Sequence, residues 1–215
     1  HALHDAIDEH MRDVDGHRYW GWPMWPEELS GPTLPGVQAF EQAHAGLVEF
    51  HAWLQWLADE QLGEAQALGR KLGMPIGLYG DYAVGVNPSG SETWSDQALY
   101  RKGAGVGAPP DALALKGQDW GIPPQDPNVL VAEQYRPFRN LVAANMRHFG
   151  ALRLDHVMAL FRQWWVPAGL GSIAGGYVHY PLDDLMSVLV LESERHGCLV
   201  IGEDLGTVPP EMSHA

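Results

Sequence analysis

Gly150-Ala151-Leu152-Arg153-Leu154-Asp155-His156 is the stretch whose reading decides the fold. It is apolar at first and then places an arginine, an aspartate and a histidine at its carboxyl end, the pattern of a short buried strand. Charged groups at a strand's exit are costly to bury, so they are paired, solvated or employed. Arg153 and Asp155 are two apart, and a period of two puts both side chains on one face. Taken alone, the pattern reads more readily as a structural Arg–Asp pair. A second stretch of the same design, Cys198-Leu199-Val200-Ile201-Gly202-Glu203-Asp204, shifts that balance. Two strands that each end in acids and lead into helical sequence predict one shared site at a barrel's carboxyl rim.

Outward from these strands, the chain alternates helical and strand-like segments. Ala2, Leu3, Ala6, Ile7 and Met11 form a helical stripe. Arg18 to Glu28 interleaves Trp20, Trp22 and Trp25 with Gly21, Pro23 and Pro26, which predicts an extended or turning segment. Gly36 to Gly73 is helical in period, with a break expected near Gly63. His44 and His51 within it read as helix residues, not ligands. Ile76-Gly77-Leu78-Tyr79 reads as a buried strand with Asp81 at its exit, and 87–127 as a long loop, a feature that is often functional. Val129 to Phe149 is again helical, Met158 to Trp165 a short helix or turn, and Asp183 a cap for a helix to about His196. Another helix opens at Leu205 to Glu211. The order gives successive βα units and parallel strands. About three strands are visible, too few to close a barrel, so the sequence reads as the middle of a longer protein.

Composition narrows the function classes. The chain has 215 residues, 46% of them hydrophobic and 19% charged, as expected for a globular protein. A formal net charge of −14 argues against binding a nucleic-acid backbone. The single Cys198 permits no disulfide framework and predicts a reducing, cytoplasmic setting. No apolar run reaches membrane-spanning length. Nine tryptophans, several beside glycine, proline or acids, suit both core packing and sugar-binding clefts. Gln118 and Trp120, two apart in a glycine-flanked stretch, offer an amide and an indole to sugar hydroxyls. No nucleotide or phosphate loop is present, so no cofactor and no metal is expected.

Several blocks together resemble the 4-α-glucanotransferases (amylomaltases or disproportionating enzymes) of glycoside hydrolase family 77, most closely the bacterial MalQ-type branch. They are Trp20 to Pro26, Ile76 to Val86, Gly107 to Asp111, Gly117 to Pro123, Ala151 to His156 and Ile201 to Pro209. The resemblance runs from end to end in order. It implies an α/β fold, part of a (β/α)8 TIM barrel with inserted segments. Residues 1–215 would form a central piece of the catalytic domain, with 16–72 a largely helical insertion and 87–127 a loop of the substrate cleft. It further implies maltooligosaccharides or other α-1,4-glucans as partners. Asp155 would be the nucleophile and Glu203 the general acid and base, a retaining pair standing roughly 5–5.5 Å apart. Burial and the anionic neighbour would keep Glu203 protonated.

Arg153 would hold Asp155 ionised, and would join His156, Asp81, Asp111, Gln118 and Trp120 in the substrate-binding set. Gly80 stands where relatives often carry arginine, and Ala112 and Leu113 where some carry aromatic residues. The family's third catalytic aspartate would lie beyond Ala215, so the chain alone is expected to be inactive. The alternatives are a hydrolase or branching enzyme of the wider α-amylase clan and a non-catalytic glucan-binding piece. A metal-dependent hydrolase fits poorly, because the adjacent Asp155 and His156 diverge.

Overall fold

The computed structural model describes residues 1–12 and 19–205. Arg18 and the helix opening expected over 206–211 lie outside the described residues. The chain divides into two compact units, His1–Leu62 with Val86–Tyr100, and Gly63–Gly85 with Arg101–Ala215.

In the first unit, α1 (Ala2–Met11) forms as its apolar spacing predicts, burying Ala6, Ile7 and Met11 together with His4. The tryptophan-rich segment makes two 3-10 turns, Trp22–Met24 and Glu27–Leu29, with Pro23 in the first turn of one and Pro26 capping the other. Helix α2 (Pro35–Ala43) ends at His44, and α3 (Ala45–Lys71) follows directly. The helical region is therefore two helices as expected, but the break falls at His44 and not near Gly63. Gly63 is helical, and its missing side chain admits the His148 ring, which a Cβ there would meet at 3.3 Å. A short α4 (Ser91–Ser95) completes the unit. Trp22, Trp25 and Trp94 pack with Ile7, Val37 and Phe40 into its core. Two of the indoles are also satisfied as donors, Trp22 Nε1 to Thr93 Oγ1 at 3.0 Å and Trp94 Nε1 to the Leu29 carbonyl at 2.9 Å. For these three tryptophans the core role applies, whereas Trp20 is 76% exposed.

The second unit is mixed α/β, with one parallel and one antiparallel sheet. Its strands are β1 (Tyr79–Tyr82), β2 (Ala104–Ala108), β3 (Gln118–Ile122), β4 (Ala151–Leu154), β5 (Arg162–Pro167), β6 (Gly176–His179) and β7 (Leu199–Gly202). Its complete helices are α5 (Pro127–Ala132), α6 (Arg136–Met146) and α7 (Leu182–His196). Strands β1, β4 and β7 pair in parallel in that order, and β3, β2, β5 and β6 pair antiparallel in that order. Helix α6 packs on α7 and on β1 and β4, through Phe138, Val142 and Met146.

Several expectations move. The first strand begins at Tyr79, not Ile76, because the buried Gln66 side chain occupies the preceding backbone. Its Nε2 donates to the Ile76 carbonyl, and its Oε1 accepts from Leu78 N–H at 2.6 Å. Gly77, at φ +74°, leaves no room for a side chain against that amide. The segment 87–127 holds α4, β2 and β3, which its small residues and glycines concealed. The helix expected over 129–149 is interrupted at Gln134 and Tyr135, both left-handed at φ 53° and 59°. Pro137 lacks an N–H and is tolerated only in a helix's first turn, so α6 has to start afresh there. Residues 158–165 are a 3-10 turn (Val157–Leu160) followed by β5, whose Trp164, Trp165 and Val166 suit a pleated surface better than a helix. Asp183 lies within the first turn of α7 and makes no cap bond; with Asp184 it complements the helix dipole instead.

Candidate active site

Strands β4 and β7 are hydrogen-bonded neighbours, with Leu154 opposite Gly202. The residues that follow, Asp155 and Glu203, therefore leave the sheet side by side. The link continues past the strands, since Glu203 N–H donates to the Leu154 carbonyl and Val157 N–H donates to the Glu203 carbonyl, both at 2.9 Å. Gly202 is needed for this closeness, because a Cβ there would lie 2.9–3.1 Å from the Val157 side chain.

His156 has φ 51° and ψ 61°, a left-handed conformation that costs a residue with a Cβ about 1–2 kcal/mol. Its N–H donates to Glu203 Oε2 at 2.8 Å, and Leu205 N–H donates to Oε1 at 2.8 Å. The Glu203 carboxyl group is thus held on both oxygens by backbone amides. Each oxygen keeps a second acceptor position, so the group can carry a proton without losing either bond. Burial lowers the His156 pKa from its ordinary value, and the charges of Glu203 and Asp155 only partly oppose this. The imidazole is neutral at neutral pH.

Arg153 joins two carboxylates. Its Nη1 donates to Asp81 Oδ1 at 2.7 Å and its Nη2 to Asp155 Oδ1 at 2.8 Å. The strand register explains the first contact, since Asp81 on β1 lies opposite Arg153 on β4. The period of two along β4 explains the second. The hydrogen bond to Asp81 is the largest influence and raises the guanidinium pKa; burial opposes it, and the charges of Asp81 and Asp155 and the hydrogen bond to Asp155 add to the rise.

The opposite wall comes from the antiparallel sheet. Gly107 lets β3 approach β2, because a Cβ there would sit 1.9 Å from the Gln118 carbonyl oxygen. Trp120 Nε1 donates to Gln118 Oε1 at 2.9 Å, which turns the indole edge-on to His156 with ring centroids 5.5 Å apart. Val84, Trp120, Ile122, Asp155, His156, Glu203 and Leu205 line a cleft of about 390 Å3.

Of the residues expected from the sequence, Asp155, His156, Glu203 and Trp120 therefore meet in one cleft. Arg153 and Asp81 connect to it through Asp155, and Gln118 through Trp120. Asp111 is not brought there. It is exposed, and its Oδ1 accepts from Leu113 and Ala114 N–H, closing its own turn. Among the described residues, no group of three or more His, Cys, Asp or Glu is disposed to hold a metal ion, and no helix is long and apolar enough to cross a membrane.

A family model described as 4-alpha-glucanotransferase, glycoside hydrolase family 77, matches residues 1–215. The chain belongs to this family. A 4-alpha-glucanotransferase of Haemophilus influenzae is 48% identical over 206 residues, which is 96% of this chain and 30% of that protein. The chain thus spans less than a third of the length of this curated relative. The crystal structure of amylomaltase from Corynebacterium glutamicum superposes with a TM-score of 0.82 at 37% identity, covering 99% of this chain and 27% of that one. The amylomaltase from Streptococcus agalactiae in complex with acarbose superposes with a TM-score of 0.84 at 19% identity, a likeness of fold that covers 99% of this chain and 43% of that one.

In this glycoside hydrolase 77 chain, sequence reasoning missed Val84, Ile122 and Leu205 as lining residues. Val84 and Ile122 touch positions with a detectable signal. A Cβ on Gly85 would lie 2.1 Å from Ile122 Cγ2, so glycine after Val84 marks where the two segments close on each other. Leu205 carries no such mark.

Proposed function

We propose that the protein is a 4-alpha-glucanotransferase that moves α-1,4-glucan segments between maltooligosaccharides. The observation that carries this reading is the delivery of Asp155 and Glu203 from adjacent parallel strands into one cleft with Trp120 and His156. In the first step an Asp155 oxygen attacks the anomeric carbon. The bond to the leaving sugar's O4 breaks, and the Glu203 proton passes to that oxygen. In the second step the acceptor's 4-hydroxyl attacks the same carbon, its proton passes to Glu203, and Asp155 departs. Two inversions restore the α linkage with no net uptake of water. Arg153 pairs with Asp155 and aims it, and neutral His156, Trp120 and Gln118 hold the glucan. Asp81 joins the substrate-binding set through Arg153, whereas Asp111, outside the cleft, would meet the glucan further along, on the loop between β2 and β3.

In this reading β1, β4 and β7 are consecutive strands of an incomplete (β/α)8 barrel, the described part of 16–72 is a largely helical insertion, and the part of 87–127 that carries β2 and β3 forms one side of the cleft. The buried, lone Cys198, whose pKa burial raises, fits a reducing cytoplasm. The 215-residue chain alone is expected to bind maltooligosaccharides without turning them over.

The test is incubation with maltotriose of this chain and of the protein expressed over its full open reading frame, with products resolved by chromatography. A ladder of longer glucans from the full-length protein supports the transferase. Glucose and maltose without longer products would replace it with a clan hydrolase. Turnover by the 215-residue chain would overturn the incomplete-barrel reading.

A further inference from the structure

We infer that the left-handed backbone of His156, and not only its imidazole, positions the acid–base group Glu203. In an extended strand, successive N–H groups point to opposite sides. Here the N–H groups of His156 and Val157 both reach the same residue, one to Glu203 Oε2 at 2.8 Å and the other to the Glu203 carbonyl at 2.9 Å. A left-handed residue makes that convergence possible, as it does in backbone anion-binding nests. Among the described residues only Gln134, Tyr135 and His156 combine a side chain with positive φ, and the first two form the joint between α5 and α6. His156 alone of the three adjoins a residue of the cleft's acid pair. Gly202 admits Val157 and so sets the turn against β7, while Leu205 N–H fixes the other carboxyl oxygen. The result is a carboxyl group whose plane is set before a glucan arrives. His156 is thus a positioning residue through its main chain, in addition to any contact its ring makes with sugar.

This role rests on the transferase function proposed above, and the experiment separates the two. Full-length protein is compared as wild type and as His156→Gly, His156→Asn, His156→Ser and His156→Ala. All four variants lose the imidazole, but only Gly and Asn adopt left-handed backbone readily. Two reactions are followed. The first is maltotriose disproportionation, which needs proton transfer in both steps. The second is fluoride release from α-maltosyl fluoride with azide as acceptor, which needs little proton transfer in either.

The expected result on maltotriose is Gly and Asn above Ser and Ala, with about tenfold between the two pairs. On the fluoride–azide pair the four variants should converge. His156→Ser keeps the comparison usable if His156→Ala melts below the assay temperature. Equal loss by Gly and Ala on maltotriose overturns the backbone role, as does the same spread on both reactions. A wild-type protein that turns over neither donor overturns the transferase reading itself, and this role falls with it.

Discussion

The two sheets of the second unit are built by opposite means. In the parallel sheet, β4 and β7 are apolar runs whose meaning is concentrated at their ends, where Asp155 and Glu203 emerge. In the antiparallel sheet, β2 (Ala-Gly-Val-Gly-Ala) and β3 (Gln-Asp-Trp-Gly-Ile) have almost no apolar run, and what they contribute is an approach close enough to aim one indole. In the proposed reading the parallel sheet supplies the reacting groups, and the antiparallel sheet shapes the space in front of them. Removing a group from each should therefore produce different kinetic losses. Glu203→Gln removes the proton and keeps an acceptor for only one of the two backbone N–H groups, because its amide NH2 can only donate, and is expected to lower kcat roughly a hundred- to ten-thousand-fold. Trp120→Ala removes an apolar wall and should weaken glucan binding by about 1 kcal/mol, seen mainly in KM. Steady-state kinetics on maltotriose reads both. A kcat loss for Trp120→Ala as large as that for Glu203→Gln would end the division of labour.

The same contrast explains what the sequence revealed. Strands such as Ala151–Leu154 announce themselves because a parallel strand is covered on both faces and must be apolar. Arg153 and Asp155 could be assigned to one face from spacing alone, and their contact is present. Asp81 was found at a strand's exit and turned out to lie within the strand, because the Gln66 amide replaces the pairing that its apolar neighbours predicted. Strands β2 and β3 were hidden since glycines and short side chains carry no period, and the information lies in what they leave out. The Gly107 contact with Gln118 is a long-range fact that no local pattern encodes. The Glu203 clasp was also invisible, because it depends on a backbone angle at His156 and on the register of two strands whose paired residues, such as Leu154 and Gly202, are far apart in the sequence.

Glycine substitutions test whether both sheets depend on close approach. A Cβ on Gly150 would lie 1.8 Å from the Ile76 carbonyl oxygen, and one on Gly107 lies under the Gln118 carbonyl. Backbone must move in each case, so Gly150→Ala and Gly107→Ala should each cost about 1–3 kcal/mol in urea denaturation. Their effects on turnover should differ. Gly107→Ala displaces β3 and should reproduce the KM change of Trp120→Ala, whereas Gly150→Ala disturbs the entrance to β4 and should lower kcat. Identical kinetic signatures would show that the sheets act as one body.

Gln66→Ala probes the boundary of the parallel sheet. It strands the Ile76 carbonyl and the Leu78 N–H, and should cost about 1–2 kcal/mol because water can satisfy them only in part. Hydrogen exchange at Leu78 gives a direct check, since its amide should lose protection in the variant. Unchanged protection would mean that β1 begins at Ile76 once the side chain is gone, as its apolar residues alone predict.

The smallest effect should come from the clasp at the base of the antiparallel excursion. Arg101 N–H donates to the Pro124 carbonyl at 2.9 Å, and the Arg101 side chain pairs with Asp126, which also caps α5 by accepting from Asn128 N–H. Burial pushes the Asp126 pKa up. The hydrogen bonds from Arg101 and Asn128 and the Arg101 charge outweigh it, so the net direction is down. A carboxylate depressed in the folded state binds fewer protons there than in the unfolded chain. Its stabilisation is present above the unfolded pKa of about 4 and is lost as pH falls through the folded value. Asn caps a helix about as well as Asp, so Asp126→Asn isolates the ion pair and should cost about 0.5–1 kcal/mol at pH 7, as expected for a pair with one partly exposed partner. The gap between wild type and variant should close as the pH is lowered below 4. A gap that persists at low pH would assign Asp126 to capping alone and leave the antiparallel sheet closed by its backbone contacts.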